Sequence, residues 1–556
     1  MLKALARLFG ARVKAAAPAK RDADAPAPQT EGLADAEAAL QRGDLQHAER
    51  QLQHVLQVHP DAGKAHYLMG RILRGRRRLE DARDSFVLAA AFMPDWWAPH
   101  YELGLVLVDQ HQFAQAVSSL TAALALKGDE ARVHYALGTA YVHCENLPAA
   151  VEAFRHALAL QPDLAQAHSN LGYLLFHDLE EYESGAEHIE RALALRPGDV
   201  AATCNWMMVL QQRGETRDAL ALADQLLSRD PTIAEARLNR ALILLADGEF
   251  ERAWPDYEAR KQVLRPRLSE PSPWPEWDGT ALSGRTIFVH AEQGLGDQIM
   301  FASCLPDLIA MAGACIVQCD PKLAGIFRRS FPAATIVSND VPAEGSVIGK
   351  QRPDCSVSLG SLPLFFRRTR VDFPRHSGYL CADEKRVDRW RSKLATLPGR
   401  TKVGISWRGG LATTRQSLRS IPLPEWSPIL SVPDTAFVSL QYNTTREELE
   451  AAAASTGVTV HHWHDAIADY EETAALIAGL DVVISVQTAA VHLAGALGKR
   501  TWALIPAAAE WRYGTRGDTM IWYPAVKLVR QQKFRDWAAV IHTVRETLTN
   551  RERFGD

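Results

Sequence analysis

The first residues that could do chemistry form a glycine loop near the middle of the chain. The apolar run Thr286–His290 is followed by Glu-Gln-Gly-Leu-Gly-Asp at positions 292–297 and then by an amphipathic stretch, which predicts a strand, a loop and a helix. Dinucleotide binding is one interpretation, because Asp320 lies about 20 residues further on. It is disfavoured because Ile299 occupies the third glycine position and the Asp297 carboxylate would repel a pyrophosphate. The other interpretation is that Asp297 only caps the following helix.

A second group of candidate residues follows another apolar run. Gln487, Thr488 and Ala489 precede a predicted helix that contains His492 and several small residues. Small residues let a ligand approach a helix N-terminus, where the amide groups and the helix dipole favour phosphate. The pattern therefore predicts a phosphate-binding loop.

Three further clusters each have two interpretations. Arg408, with Arg415 nearby, could bind phosphate or lie in a solvated loop. The segment Glu-Trp-Arg-Tyr at 510–513 could offer an aromatic ring to a base and Arg512 to a phosphate, or it could pack between two lobes. The segment 461–465 is rich in histidine but lacks spaced partners elsewhere, so we expect a polar loop and no metal site.

The elements that must position these residues are alternating strands and helices. Apolar runs predict strands at Thr286–His290, Ile316–Cys319, Lys402–Trp407, Ala436–Leu440, Asp481–Val486 and Thr501–Ile505. This alternation predicts two doubly wound α/β lobes, and such lobes bind ligands outside the carboxyl ends of their strands. The glycine loop and the predicted phosphate-binding loop both follow such strands.

The first half of the chain has a different pattern, with a period of 34 residues. In the stretch Ala131–Leu164 the tetratricopeptide positions are occupied by Leu137, Gly138, Tyr141, Ala150, Phe154, Ala157 and Pro162. The register recurs upstream and downstream, with a slip of one residue between Gly172 and Ala192. We count about seven repeats, enough to stack a continuous helical solenoid.

Three asparagines fall at the same position of consecutive repeats: Asn170, Asn205 and Asn239. This position faces the concave groove of such a solenoid, and an amide offers both a donor and an acceptor to a peptide backbone. The ladder favours a bound polypeptide, and the alternative is that asparagine is simply common at this position.

Composition limits the remaining possibilities. A chain of 556 residues should hold more than one domain, and a formal charge of −4 gives no reason to expect nucleic acid. The seven cysteines show no disulfide or metal spacing, so we expect a reducing, cytoplasmic location. No uninterrupted apolar run is long enough to predict a transmembrane span. We divide the chain into a basic start and Ala/Pro tether (1–28), repeats (29–262), a Pro/Trp connector (263–284), a first α/β lobe (285–400) and a second α/β lobe with a terminal helix (401–556).

Three stretches resemble glycosyltransferase family 9, the heptosyltransferase-like enzymes. They are HAEQGLGDQIMFA at 290–302, DYEETAALI at 469–477 and VISVQTAAVHLAGALGKRTWALIP at 483–506. The whole chain is similar to bacterial tetratricopeptide proteins that end in such a domain. The resemblance implies an α-solenoid followed by a GT-B fold of two Rossmann-like lobes, and a metal-independent inverting transfer from a nucleotide-sugar without a cofactor.

The resemblance also implies roles for individual residues. Asp297 matches the acidic residue expected to act as the acceptor base. Thr488, Ala489 and His492 match the donor-phosphate loop, and Arg419 lies where the family has a basic residue against the diphosphate. Relatives often carry Asp where this chain has Gln487, so recognition of the ribose or sugar could differ. On the donor side we add Gln487 and Arg408, and on the acceptor side Gly294, Gly296 and Gln298.

The sequence therefore predicts a glycosyltransferase whose repeats recruit an acceptor, a protein in the leading interpretation. The alternative is a tetratricopeptide scaffold with a degenerate, non-catalytic GT-B domain, because an amide at position 487 cannot carry the negative charge of the usual aspartate. A lipid or glycan acceptor is a third interpretation.

Overall fold

A computed structural model describes residues 31–264, 272–340, 352–410 and 416–550. The chain divides into two compact units, Met1–Asn205 and Trp206–Asp556. The predicted basic start and tether at 1–28 lie outside the described residues, as do residues 265–271 of the predicted connector.

The first unit is a stack of antiparallel helix pairs. Its glycines occupy the crossing points: a Cβ atom on Gly70 would lie 2.7 Å from the Phe86 ring, and one on Gly138 would lie 2.7 Å from the Phe154 ring. The predicted tetratricopeptide solenoid is confirmed, with helices at Glu31–Gln41, Leu45–Val58, Gly63–Gly75, Leu79–Phe92, Trp97–Asp109, Phe113–Leu126, Ala131–His143, Leu147–Leu160, Ala165–Tyr173 and Tyr182–Leu195.

The one-residue slip in the repeat pattern has a structural counterpart. Helix Ala165–Tyr173 continues directly into a π-helical turn at Leu174–Asp178. A π turn inserts one extra residue into a helix. Tyr182, at the start of the following helix Tyr182–Leu195, packs against Phe176 of the turn with ring centroids 5.2 Å apart.

The second unit begins with further repeat helices and continues into two sheets. Its helices before the first strand are the remainder of Val200–Arg213, followed by Thr216–Arg229, Ala234–Asp247, Phe250–Tyr257 and Arg260–Val263. The last of these pack onto the sheet-containing region, because Trp254 Nε1 donates to the Arg367 carbonyl at 2.7 Å and the Thr515 amide donates to the Ala246 carbonyl at 2.9 Å. Trp277 of the predicted connector is buried.

The first sheet has four parallel strands in the order β3-β2-β1-β4. They are β1 Thr286–His290, β2 Ala314–Cys319, β3 Thr335–Ser338 and β4 Cys355–Ser358. The α-helices of this region are Leu295–Phe301, Leu305–Met311, Pro321–Ser330, Pro363–Phe366 and Glu384–Ala395. The central strands β1 and β2 are buried over most of their length, as expected of a parallel sheet covered by helices.

The second sheet has seven strands in the order β10-β11-β9-β8-β5-β6-β7, all parallel except the β10–β11 pair. They are β5 Thr401–Ser406, β6 Thr435–Ser439, β7 Val460–His461, β8 Val482–Val486, β9 Thr501–Ile505, β10 Thr519–Met520 and β11 Tyr523–Arg530. The α-helices here are Ser427–Leu430, Arg446–Thr456, His464–Ala468, Tyr470–Gly479, Ala489–Ala496 and Ala538–Thr549. The predicted α/β content is confirmed, and each predicted strand is present with bounds that differ by at most two residues.

In the part of the chain that the structure describes, no helix combines the length and the apolar character needed to cross a bilayer.

Candidate functional site

A cleft of about 630 Å³ lies where the carboxyl ends of strands from both sheets meet. Segments after β1 and β2 contribute one wall, and segments after β5, β6, β7, β8 and β9 contribute the other. This is where ligands bind in open α/β sheets. The lining residues are Leu295, Gly296, Asp297, Lys322, Ser406, Gly410, Arg419, Leu440, Tyr442, Ile467, Ala468, Tyr470, Thr473, Gln487, Thr488, Ala489, Ala490, His492, Glu510, Arg512 and Tyr513.

Asp297 caps its helix and also lines the cleft. It lies in the first turn of helix Leu295–Phe301, and its Oδ2 accepts a hydrogen bond from the Gly294 amide at 3.3 Å, so it does cap the helix. Its Oδ1 faces the cleft and accepts a hydrogen bond from Arg512 Nε at 2.8 Å. The carboxylate is therefore both a structural cap and a charge on the cleft wall.

Four charged side chains form a line along the cleft, alternating in sign. Arg419 Nη1 lies 3.6 Å from Glu510 Oε1, Arg512 Nη1 donates to Glu510 Oε2 at 3.2 Å, and Arg512 also pairs with Asp297. Burial alone would lower the pKa of Arg512, but the charges of Asp297 and Glu510 outweigh this effect and raise it above its ordinary value. The line places two guanidinium groups opposite the glycine loop.

The predicted phosphate-binding loop lies against the glycine loop. Thr488 caps helix Ala489–Ala496, with its Oγ1 accepting from the Ala490 amide at 3.2 Å. A Cβ atom on Gly296 would lie 3.1 Å from the His492 ring, so a glycine at this position lets the two helix starts approach closely. An N-terminus placed in this way favours an anionic group in the cleft.

His492 is buried beside this contact. Its Nδ1 lies 3.1 Å from the Tyr523 hydroxyl. Burial, with a smaller effect from Arg512, lowers the pKa of His492 to about 3. The imidazole is therefore neutral near pH 7 and can donate only one N–H.

The side-chain amide of Gln487 has no hydrogen-bond partner among the described residues. It is 2% exposed, and both Oε1 and Nε2 are buried without a partner among the described residues. The hydroxyl of Tyr470, which begins helix Tyr470–Gly479 and also lines the cleft, is likewise buried without a partner in those residues. Buried polar groups are rarely left unsatisfied, so a ligand in the cleft is the natural partner for both.

The loop after β5 reaches the cleft through two glycines. A Cβ atom on Gly409 would lie 2.7 Å from the Gln487 carbonyl oxygen and 2.9 Å from the Arg419 carbonyl oxygen. Only a glycine lets the three loops converge there, and this convergence brings Arg419 to the same wall as Gln487.

Some predicted site residues lie elsewhere. Arg408 does not line the cleft, because its guanidinium pairs with Glu448 and donates to the Asn443 carbonyl at 3.2 Å. Gly294 forms the helix cap, and Gln298 Oε1 accepts from the Asp320 amide at 2.9 Å, which fixes the loop after β2. Arg415 lies outside the described residues.

The asparagines of the repeats also make contacts. Asn170 Nδ2 donates to the Tyr135 hydroxyl at 3.3 Å, and Asn205 Nδ2 donates to Ser169 Oγ at 3.2 Å. Each partner belongs to the preceding repeat, so these two amides join neighbouring repeats. Asn239 lies in helix Ala234–Asp247 of the second unit.

Sequence reasoning did not assign site roles to Glu510, Lys322 or Tyr470, and it left Arg512 between phosphate binding and lobe packing. Tyr470 lies in one of the stretches that carry the family resemblance, and Arg512 follows β9, so both had a usable signal. Lys322 had no signal in the sequence beyond its position after β2. Within the described ranges, no group of three or more His, Cys, Asp or Glu side chains is arranged to hold a metal ion.

Comparison with known proteins supports the repeats directly. The tetratricopeptide repeat family matches residues 33–95, 101–164, 145–200 and 206–262. Protein FlbA of Caulobacter vibrioides is 31% identical over 382 residues, an alignment that covers 65% of this chain and 63% of that protein. The chain thus spans less than two thirds of this relative.

Solved structures similar to this chain include tetratricopeptide proteins. A pilF protein of Pseudomonas aeruginosa is 18% identical, with a TM-score of 0.35 over 38% of this chain and 95% of that one. MamA of Desulfovibrio magneticus RS-1 is 24% identical, with a TM-score of 0.29 over 31% of this chain and 99% of that one. The family match and the helix-pair geometry together establish that the first part of the chain contains tetratricopeptide repeats.

Proposed function

We propose that the chain is an inverting glycosyltransferase that uses a nucleotide-sugar donor and needs no metal ion. In this proposal the two sheets form a GT-B-type domain, with the donor held by the loops of the second sheet. The repeats recruit the acceptor, which is a protein or peptide. The seven cysteines are all free thiols, which suits a reducing, cytoplasmic site of action.

The observation that carries the proposal is the composition of one cleft. It holds a carboxylate, Asp297, two arginines, Arg419 and Arg512, and the capped N-terminus of helix Ala489–Ala496. A glycosyl transfer without a metal needs these groups: a base for the acceptor hydroxyl, and fixed positive charge for the departing diphosphate.

The chemistry follows from those positions. The acceptor hydroxyl gives its proton to Asp297 as its oxygen bonds to the anomeric carbon from one face. The bond between that carbon and the phosphate oxygen breaks on the other face, and its electron pair leaves with the nucleotide diphosphate. Arg419, Arg512 and the helix amides stabilise this charge, and neutral His492 can donate one hydrogen bond to it.

The ion pair between Arg512 and Asp297 shapes this mechanism. Arg512 donates to Oδ1 of the Asp297 carboxylate, so this oxygen is engaged before any ligand binds. A bound diphosphate competes with Asp297 for Arg512, so donor binding would release the base for the acceptor. The unpartnered amide of Gln487 would meanwhile receive a hydroxyl of the ribose or the sugar.

A second candidate function is a scaffold whose cleft binds a nucleotide without catalysing transfer. The same ion pair favours it, since Arg512 occupies the carboxylate that should act as the base. The amide of Gln487, in place of the aspartate common in similar enzymes, points in the same direction. The two candidates share nucleotide binding and differ in turnover.

Calorimetric titration with UDP, GDP, ADP and CMP tests the feature common to both. We expect at least one nucleotide to bind, and Arg419→Ala to weaken that binding by about ten- to a hundredfold, as expected for loss of a charged hydrogen bond. Arg446→Ala is the matched control, because Arg446 pairs with Glu450 on an exposed helix surface. Absence of binding by all four nucleotides would contradict the proposal.

A further inference from the structure

The last helices of the repeat region contact the glycine loop that carries Asp297. Tyr257 ends helix Phe250–Tyr257, and Arg260 begins helix Arg260–Val263. Both side chains are buried and contact loop residues that precede Gly294. These helices belong to the same compact unit as the cleft.

We propose that Tyr257 is a positioning residue, which holds Gln293 in a left-handed backbone conformation and thereby directs the start of the Asp297 helix into the cleft. Its effect on catalysis rests on the proposed glycosyltransferase function. Its effect on the loop does not.

Gln293 is the point of strain. Its φ is +61°, a conformation that residues with a Cβ rarely adopt. The side-chain amide of Gln293 lies against the Tyr257 hydroxyl, with Nε2 at 3.1 Å and Oε1 at 3.4 Å. Burial raises the pKa of Tyr257 to about 12, so the hydroxyl keeps its proton near neutral pH. The contact therefore persists under ordinary conditions.

The residue before Gln293 is also attached to the repeat helices. Arg260 is fully buried and bonds both oxygens of Glu292, at 3.1 and 2.6 Å. Glu292 Oε1 also accepts from the Gly360 amide at 2.7 Å. The Arg260 guanidinium carbon lies 4.6 Å from the centroid of the Tyr257 ring, so the two side chains that contact the loop also contact each other.

The support extends to both sides of the cleft. Gly294, directly after the strained residue, donates its amide to Asp297, so the orientation of the Gln293–Gly294 peptide fixes the carboxylate. On the other side, the Tyr257 ring packs against Trp511 with centroids 5.7 Å apart, and Trp511 precedes Arg512. Tyr257 thus contacts Gln293 in the loop before Asp297, and it contacts Trp511 directly before Arg512.

The experiment compares Tyr257→Phe with Tyr182→Phe in the full chain. Phenylalanine at 257 keeps the ring and removes only the hydroxyl. Tyr182→Phe also removes a hydroxyl from a buried ring, in a repeat helix of the first unit. We expect Tyr257→Phe to lower kcat by about ten- to a hundredfold, since small misplacements of a reacting group have effects of that size. We expect the Kd of the nucleotide to stay the same, and Tyr182→Phe to change neither quantity.

A second substitution distinguishes positioning of the Gln293 backbone from a general structural role of Tyr257. Glycine adopts positive φ readily, so Gln293→Gly should make the tyrosine hydroxyl unnecessary. We expect Tyr257→Phe to have no further effect on kcat in the Gln293→Gly background, a coupling that a double-mutant cycle measures. An equal loss of kcat in both backgrounds, or a parallel loss of nucleotide affinity, would overturn the positioning role.

Hydrogen–deuterium exchange makes the test independent of activity. If the wild-type chain transfers no sugar, the proposed function fails, but Tyr257→Phe should still accelerate exchange at residues 293–298, and Tyr182→Phe should not. Unchanged exchange in that loop would overturn the positioning role even in an active enzyme.

Discussion

The repeat helices of residues 31–205 and the cleft of the second unit use polar groups in opposite ways. In the repeats, Asn170 and Asn205 bond to the preceding repeat. In the cleft, the amide of Gln487 has no partner among the described residues, and the carboxylate of Asp297 is held by Arg512. The repeat asparagines thus have their hydrogen-bond partners within the protein, whereas the cleft residues would gain theirs from a ligand. The two regions should therefore respond differently to the same kind of substitution.

The largest expected difference concerns turnover. Asp297→Asn should lower sugar transfer by about a hundred- to ten-thousandfold, because an amide cannot accept the acceptor proton. Nucleotide affinity should be kept or increased, since Arg512 still pairs with Glu510 and an amide competes less than a carboxylate for its guanidinium. Parallel measurement of kcat and of the nucleotide Kd checks this. Transfer at the wild-type rate would remove Asp297 from the mechanism.

The reverse pattern is expected in the repeats. Gly138→Leu places a side chain where even a Cβ atom would lie 2.7 Å from the Phe154 ring, so it should lower the free energy of unfolding by about 3 kcal/mol. Nucleotide affinity should not change. Thermal unfolding followed by circular dichroism, with calorimetry on the folded variant, measures both. A stable variant would show that close helix approach does not depend on this glycine.

The buried histidine of the cleft gives a pH dependence that the solenoid asparagines cannot give. The unfolded chain protonates His492 near pH 6.5, whereas the folded protein excludes the proton until about pH 3. The exclusion of this proton therefore costs no stability above pH 6.5. As the pH falls from 6.5 towards 3, the unfolded chain gains a proton that the folded protein cannot bind, and the free energy of unfolding decreases. Between pH 7 and 5 the wild type should lose about 2 kcal/mol more than His492→Gln, measured by urea unfolding. If the wild type and His492→Gln lose the same free energy of unfolding, the folded protein does not keep His492 neutral in this pH range.

The smallest expected effect compares the two kinds of amide directly. Asn205→Ala removes a satisfied hydrogen bond and should lower the free energy of unfolding by about 1 kcal/mol. Gln487→Leu removes an unsatisfied buried amide and should raise it by a similar amount, while weakening nucleotide binding. Urea unfolding of both variants shows whether the signs differ. A loss of stability in Gln487→Leu would indicate that this amide already has a partner.

Local sequence patterns predicted the elements well. The repeat register located the helix pairs, and the one-residue slip coincided with the π turn at Leu174–Asp178. The apolar runs predicted the central strands of both sheets, because parallel strands that are buried on both faces are continuously apolar. The predicted division at 262/263 stays a prediction, and the structure assigns the repeat helices after Trp206 to the second unit.

The side-chain pairings were much harder to predict. Arg512 and Asp297 are 215 positions apart, and only the folded arrangement of the two sheets brings them together. Arg408 was expected on the donor side but pairs with Glu448, a partner set by helix Arg446–Thr456. Sequence showed which loops reach the cleft, and it could not show which way each side chain points.

The central claim is that this chain transfers a sugar to a protein recruited by its repeats. The direct measurement is the intact mass of proteins that copurify with the full chain, recorded before and after incubation with UDP-, GDP-, ADP- and CMP-linked sugars. We predict that one of these proteins gains the mass of a sugar residue with the wild-type chain and not with Asp297→Asn. Unchanged masses for all copurifying proteins, under conditions in which the chain binds nucleotide, would contradict the claim and favour the scaffold.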